Sequence, residues 1–166
     1  MSGVKQLVFP ELIFMDEFGN DFTKYFQEVY EIFEKDFVKS IPSFCGVRVS
    51  AQKNPLVDGL YHKTFYHITH EGEIENSRTP DFRRMERIRF PRFIIENCPN
   101  SELLVWKNTR GRDTRILIFN EEEKYLVVLT ERDGFYLLWT AYVVDKTHTY
   151  NKLMKEYNAY KKANTA

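Results

Sequence analysis

The stretch Lys124-Tyr-Leu-Val-Val-Leu-Thr-Glu-Arg-Asp-Gly-Phe-Tyr-Leu-Leu-Trp-Thr-Ala-Tyr-Val-Val144 decides the fold. Two β-like runs, 124–130 and 134–143, flank Asp133-Gly134. That dipeptide between apolar runs is a strong hairpin signal, because glycine accepts the positive φ a tight turn needs. Working back toward the N-terminus, 102–107 and 114–119 have the same character, and their links hold Gly111 and Asn120. Four strands on short links predict an antiparallel meander, since parallel strands need crossovers of a dozen residues or more.

Helical spacing brackets this sheet. Phe22, Tyr25, Phe26, Val29, Phe33 and Phe37 recur at three- and four-residue steps, which predicts an amphipathic helix capped by Asn20 or Asp21. Pro42 ends it, and a short strand is expected at 46–50. Residues 63–69, Lys-Thr-Phe-Tyr-His-Ile-Thr, read as a strand, and the polar run from Gly72 to Thr79 as a loop. Pro80 and Asp81 open a helix through Phe82, Met85 and Ile88, which Pro91 interrupts. Residues 146–163 form a closing helix. The expected fold class is α+β: N-terminal helices packed on a four-stranded antiparallel meander sheet, with a C-terminal helix. One domain spans 1–166, with an irregular segment 1–19, a mainly helical part 20–98, and the sheet at 102–143.

The composition is that of a folded chain: hydrophobic residues are 43% and charged residues 29%, which excludes disorder. Aromatics reach 16%, which implies a Phe-rich core or an aromatic-lined face. No apolar run is long enough to span a bilayer, and the N-terminus carries no apolar leader segment, so no membrane partner is expected. Cys45 and Cys98 lack CxxC spacing, which fits a reduced, cytoplasmic setting. The 24 basic and 24 acidic side chains cancel, which argues against binding to nucleic acid by bulk charge. Residues 78–92 are the exception, with six arginines against Asp81 and Glu86, a net of +4.

Motifs for nucleotide-cradling loops, serine hydrolases, zinc proteases and calcium loops are absent. His67 and His70 would face opposite ways on a strand, so no metal site and no cofactor are expected. What remains suits metal-free phosphoryl chemistry. Histidine can give or take a proton, and arginine binds oxyanions with a planar fork. Arg83 and Arg87 lie four apart, with Arg84 between them and Arg89 beyond. In the last strand Tyr136, Leu138, Thr140 and Tyr142 fall on one face at period two, and Trp139, Ala141 and Val143 on the other. Ordinary roles compete with each of these readings: a solvated arginine helix, a structural histidine, a strand chosen for β fit.

Three blocks carry a resemblance: Thr64-Phe-Tyr-His-Ile68, Arg78-Thr-Pro-Asp-Phe-Arg-Arg-Met-Glu-Arg-Ile88, and Leu138-Trp-Thr-Ala-Tyr-Val-Val144. In their order and spacing over about 60–160 the chain resembles the barnase, EndoU, colicin and RelE superfamily of metal-independent ribonucleases, more narrowly its phage-encoded nuclease-like branch. The resemblance implies an endoribonuclease, a phage or mobile-element toxin that cleaves RNA by attack of the 2′-hydroxyl. It implies RNA as partner, with an antitoxin or immunity protein as a second. It gives His67 as general acid or base, and Arg87 with Arg83 or Arg84 on the phosphate. Thr140 and Tyr142 would line the scissile site, with Arg89, Arg132 and His148 as further RNA contacts. The chain departs from colicin-type toxins in being neutral, and the alternative is a non-catalytic RNA- or protein-binding module on the same scaffold.

Overall fold

Asp21 starts the first helix, its carboxylate accepting the backbone N–H of Lys24 at 3.2 Å. The computed structural model describes residues 6–74 and 77–165. A 3-10 turn, Met15–Phe18, leads into α1 (Phe22–Phe37), whose Tyr25, Val29, Phe33 and Phe37 are buried as the helical spacing requires. Then come β1 (Ser43–Phe44), β2 (Val47–Ser50), α2 (Lys63–Thr69), β3 (His70–Glu71), β4 (Thr79–Pro80), α3 (Phe82–Glu86) and α4 (Phe90–Glu96). The meander follows as β5 (Leu104–Arg110), β6 (Asp113–Asn120), β7 (Tyr125–Arg132) and β8 (Phe135–Val143), and α5 (Thr147–Ala163) closes the chain.

The meander is present, but it is not the whole sheet. The strand order is β1-β2-β8-β7-β6-β5, so the expected four antiparallel strands are part of a six-stranded mixed sheet. β2 joins parallel to β8, pairing Val49 with Tyr136 and Ser50 with Leu137. The part expected to be mainly helical therefore also supplies two sheet strands, and β3 and β4 pair separately.

Residues 63–69 are a helix, not a strand. Their β-prone side chains pack as a helical face, with Phe65, Ile68 and Thr69 buried. The Thr69 hydroxyl donates to the Phe65 carbonyl at 2.8 Å, the four-residue back-bond open to a helical threonine, here at the last residue of α2. Packing here overrides an intrinsic preference worth only about 1 kcal/mol. The helix expected from Asp81 also breaks earlier than Pro91. Asp81 accepts from Arg83 N at 3.0 Å and Arg84 N at 3.3 Å, α3 ends at Glu86, and Pro91 sits in the first turn of α4, where its missing N–H costs nothing.

The sheet is covered on both faces. Tyr125, Val127 and Leu129 of β7 and Leu138 and Ala141 of β8 meet the helices α1 to α4 in one core. Trp106, Leu117, Phe119, Leu126 and Val128 form a second core, onto which α5 lays Leu153, Met154, Tyr157 and Tyr160. Between them β8 changes register: Val128 pairs with Thr140 but Leu129 pairs with Leu138, so Trp139 is an extra residue, a β-bulge. The single row expected along β8 is therefore split. Tyr136 and Leu138 face the helices, whereas Trp139, Thr140 and Tyr142 turn to the α5 side.

Candidate functional site

Turned to that side, the bulge residues line a cleft of about 270 Å³ between the sheet and α5. Three elements furnish its polar wall. β5 and β6 supply Asn108, Arg110 and Arg115, with Asn108 and Arg115 a cross-strand pair and Arg110 two residues on. β8 supplies Trp139, Thr140 and Tyr142. α5 supplies His148, Lys152 and Glu156, which recur every four residues and so share one helical face.

The cleft is cationic and only partly self-satisfied. The Arg115 guanidinium lies 5.3 Å from the centre of the Trp139 ring, and its Nε is buried without a hydrogen-bond partner. Burial and then the charge of Arg110 pull the Arg115 pKa down, so two like charges stand close at the cleft. Burial pushes the Tyr142 phenol up, while Arg84, Arg110 and Arg115 act in the opposite sense. Arg84 comes from α3 on the other flank of β8, its guanidinium 5.1 Å from the Tyr142 ring centre. The one acidic group of the lining is held in place: Glu156 accepts from Trp106 Nε1 at 2.7 Å and Asn108 Nδ2 at 2.8 Å. Those bonds also fasten α5 to the sheet.

The expected site residues divide. Thr140, Tyr142 and His148 meet in the cleft. His67 does not line it: on α2, 8% exposed, its ring lies 5.6 Å from Trp139 in a small hollow shared with Gln52, Lys63, Thr64 and Leu138. Trp139 thus separates His67 from the cleft.

The arginine block is largely tied into the fold. Arg84 donates to the carbonyls of His67 at 2.9 Å and His70 at 2.7 Å, which stitches α3 to α2. Arg87 donates to the Arg83 carbonyl and lies 3.6 Å from Glu86. Arg83 pairs with Asp145 at 3.0 Å, Arg89 donates to the Glu11 carbonyl, and Arg132 meets Asp113 at 3.4 Å. A larger groove of about 560 Å³ runs between α1 and α4. Its Lys35, Lys39, Arg89 and Arg92 are matched by Glu28, Glu31, Asp36 and Glu96, which gives a polyanion no net attraction.

Among the described residues, no three His, Cys, Asp or Glu side chains are grouped to hold a metal ion, and no helix is long and apolar enough to cross a membrane. Comparison with protein-family models, curated proteins and solved structures finds no match for this chain. Sheet register and the helical face of α5 therefore define the site. Arg110, Arg115, Lys152 and Glu156 were missed in the sequence, although the four-residue spacing of His148, Lys152 and Glu156 is legible there.

Proposed function

We propose that the cleft binds RNA and cleaves it without a metal, as the resemblance of the sequence blocks suggests. The observation that carries this reading is the convergence of His148, Arg110, Arg115, Thr140 and Tyr142 on one cleft, with Lys152 at its rim. Cleavage by the 2′-hydroxyl needs a base for that proton, an acid for the 5′ leaving oxygen, and cations for the charged phosphorane. Arg110 and Arg115 are the cations, two forks whose mutual repulsion a phosphate between them would relieve. His148 replaces His67 as acid, protonating the departing 5′ oxygen. Glu156, set by Trp106 and Asn108, takes the 2′ proton as the 2′ oxygen attacks phosphorus. The P–O5′ bond breaks, leaving a 2′,3′-cyclic phosphate and a free 5′-hydroxyl. Thr140 and Tyr142 position the phosphate with their hydroxyls.

The proposed setting of this activity is a reducing cytoplasm, which two cysteines without CxxC spacing suit. A phage or mobile-element toxin would there require an antitoxin or immunity protein to cover the cleft. The test is to incubate the protein with total RNA in EDTA and identify the product ends. Fragments ending in 2′,3′-cyclic phosphate are expected. RNA left intact with EDTA and with magnesium alike rejects the enzyme and leaves a binding module; cleavage only with magnesium rejects the mechanism.

A further inference from the structure

α5 and α1 differ in charge although the chain as a whole has none. The lysines of α5, Lys152, Lys155, Lys161 and Lys162, stand against Glu156, whereas α1 sets Glu28, Glu31, Glu34 and Asp36 against Lys24 and Lys35. His148, Lys152, Lys155, Ala159 and Lys162 follow at steps of four, three, four and three residues, which lays them in one stripe along the helix. All five are exposed. Glu156 faces the cleft beside the stripe, held by Trp106 and Asn108, and Leu153, Met154, Tyr157 and Tyr160 take the core side. Among the described residues, the ion pairs belong to other side chains, so Lys152, Lys155 and Lys162 are not neutralised by the fold.

Helix stability does not ask for this row. Cations in the last turn answer the helix dipole, which covers Lys161 and Lys162 but not Lys152 and Lys155 in mid-helix. Lysine and glutamate have similar helix propensity, and pairs of opposite sign four residues apart add stability, so a solvated face is best served by both signs. The stripe repeats one sign, and it begins in the cleft: His148 and Lys152 line it with Arg110 and Arg115. At a rise of about 1.5 Å per residue, Lys162 stands about 15 Å beyond Lys152 along the helix. A protein partner would want apolar or aromatic groups at the centre of its contact, and the stripe offers ammonium groups around the small Ala159. A phosphate backbone asks for that charge and no more.

We infer that Lys152, Lys155 and Lys162 form a rail along α5 for the phosphate backbone of the RNA strand that leaves the cleft. The inference rests on the cleft reading and extends the footprint of the RNA beyond it.

The experiment compares a 2′-O-methyl oligouridylate dinucleotide with the decanucleotide, both resistant to 2′-hydroxyl attack, by fluorescence anisotropy over a salt series. The double variant Lys155→Gln, Lys162→Gln removes two contacts and should flatten the decanucleotide's slope of log affinity on log salt by about 1.4. Between about 50 and about 200 mM salt it should then lose about sevenfold less affinity than wild type, with the dinucleotide unaffected. Glutamine keeps the helix propensity of lysine, so the variant should fold. A control with the same change of charge, Lys24→Gln with Lys39→Gln beside the two ends of α1 on the opposite face of the sheet, should keep the wild-type slope. A decanucleotide slope equal in wild type and the α5 variant, or flattened as much by the α1 control, overturns the rail while the cleft stands. Failure of wild type to bind either probe overturns the cleft and the rail together.

Discussion

Replacing Arg115 by Gln should flatten the salt dependence of RNA binding, whereas replacing Arg87 should not. Three basic side chains line the cleft, Arg110, Arg115 and Lys152, while Arg84 is spent on two backbone carbonyls. With each phosphate contact to a single strand contributing about −0.7 to the slope of log affinity on log salt, three contacts give a slope of about −2. A rise from about 50 to about 200 mM salt then costs wild type about 20-fold in affinity, and the Arg115→Gln variant about sevenfold. Arg87 donates to the Arg83 carbonyl and faces Glu86, away from the cleft lining, so Arg87→Gln should keep the wild-type slope. The assay is fluorescence anisotropy of an uncleavable short oligonucleotide over a salt series. The reasoning is refuted if Arg87→Gln flattens the slope and Arg115→Gln does not.

Stability should fall in mild acid. Burial, with Arg78 and Arg84 nearby, holds the His70 pKa down at about 4, so the fold refuses a proton that the unfolded chain binds below its ordinary value of about 6.5. The contribution is therefore whole above about pH 6.5 and is lost as pH falls toward 4, by at most about 3 kcal/mol. Urea titrations of wild type and His70→Gln across that range should show a shallower acid decline in the variant; parallel declines would count against it. Glu156→Ala strands the buried Trp106 N–H and the Asn108 amide, at about 1–3 kcal/mol, and should lower the melting temperature and loosen α5 in hydrogen exchange. An unchanged melting temperature would show that these bonds do not fasten α5.

What could be read in the sequence was what is local. The β5–β8 meander is written in alternation and in turn residues such as Gly134, which takes φ +82°, and α1 in its three- and four-residue apolar steps. α2 reads as a strand in the sequence because five of its seven residues, Thr64, Phe65, Tyr66, Ile68 and Thr69, are β-prone, and they become helical only through what they pack against. The parallel β2–β8 pairing joins residues almost ninety apart, and no local pattern announces it. The bulge at Trp139 mattered most for the site: one unpaired residue turned Trp139 toward Thr140 and Tyr142 and sent Leu138 to the opposite core. The arginine block was visible as charge, but its partners were not. Asp145 and the carbonyls of Glu11, His67 and His70 lie elsewhere in the chain, and they convert most of an apparent phosphate patch into structural bonds. Thr140, Tyr142 and His148 were legible as candidates; that His148, and not His67, shares their cleft depended on the turn of β8 and the placement of α5.

The single-turnover rate of RNA cleavage in EDTA, compared between wild type and His148→Ala, tests the assignment of the cleft most directly. A placed proton donor contributes about 10²–10⁴-fold, so the variant should lose on that scale while keeping RNA affinity and melting temperature. His148 lies on the exposed start of α5, where its removal does not open the core. A His148→Ala rate equal to wild type, with His67→Ala instead abolishing cleavage, would contradict the account and move the chemistry to the hollow behind Trp139.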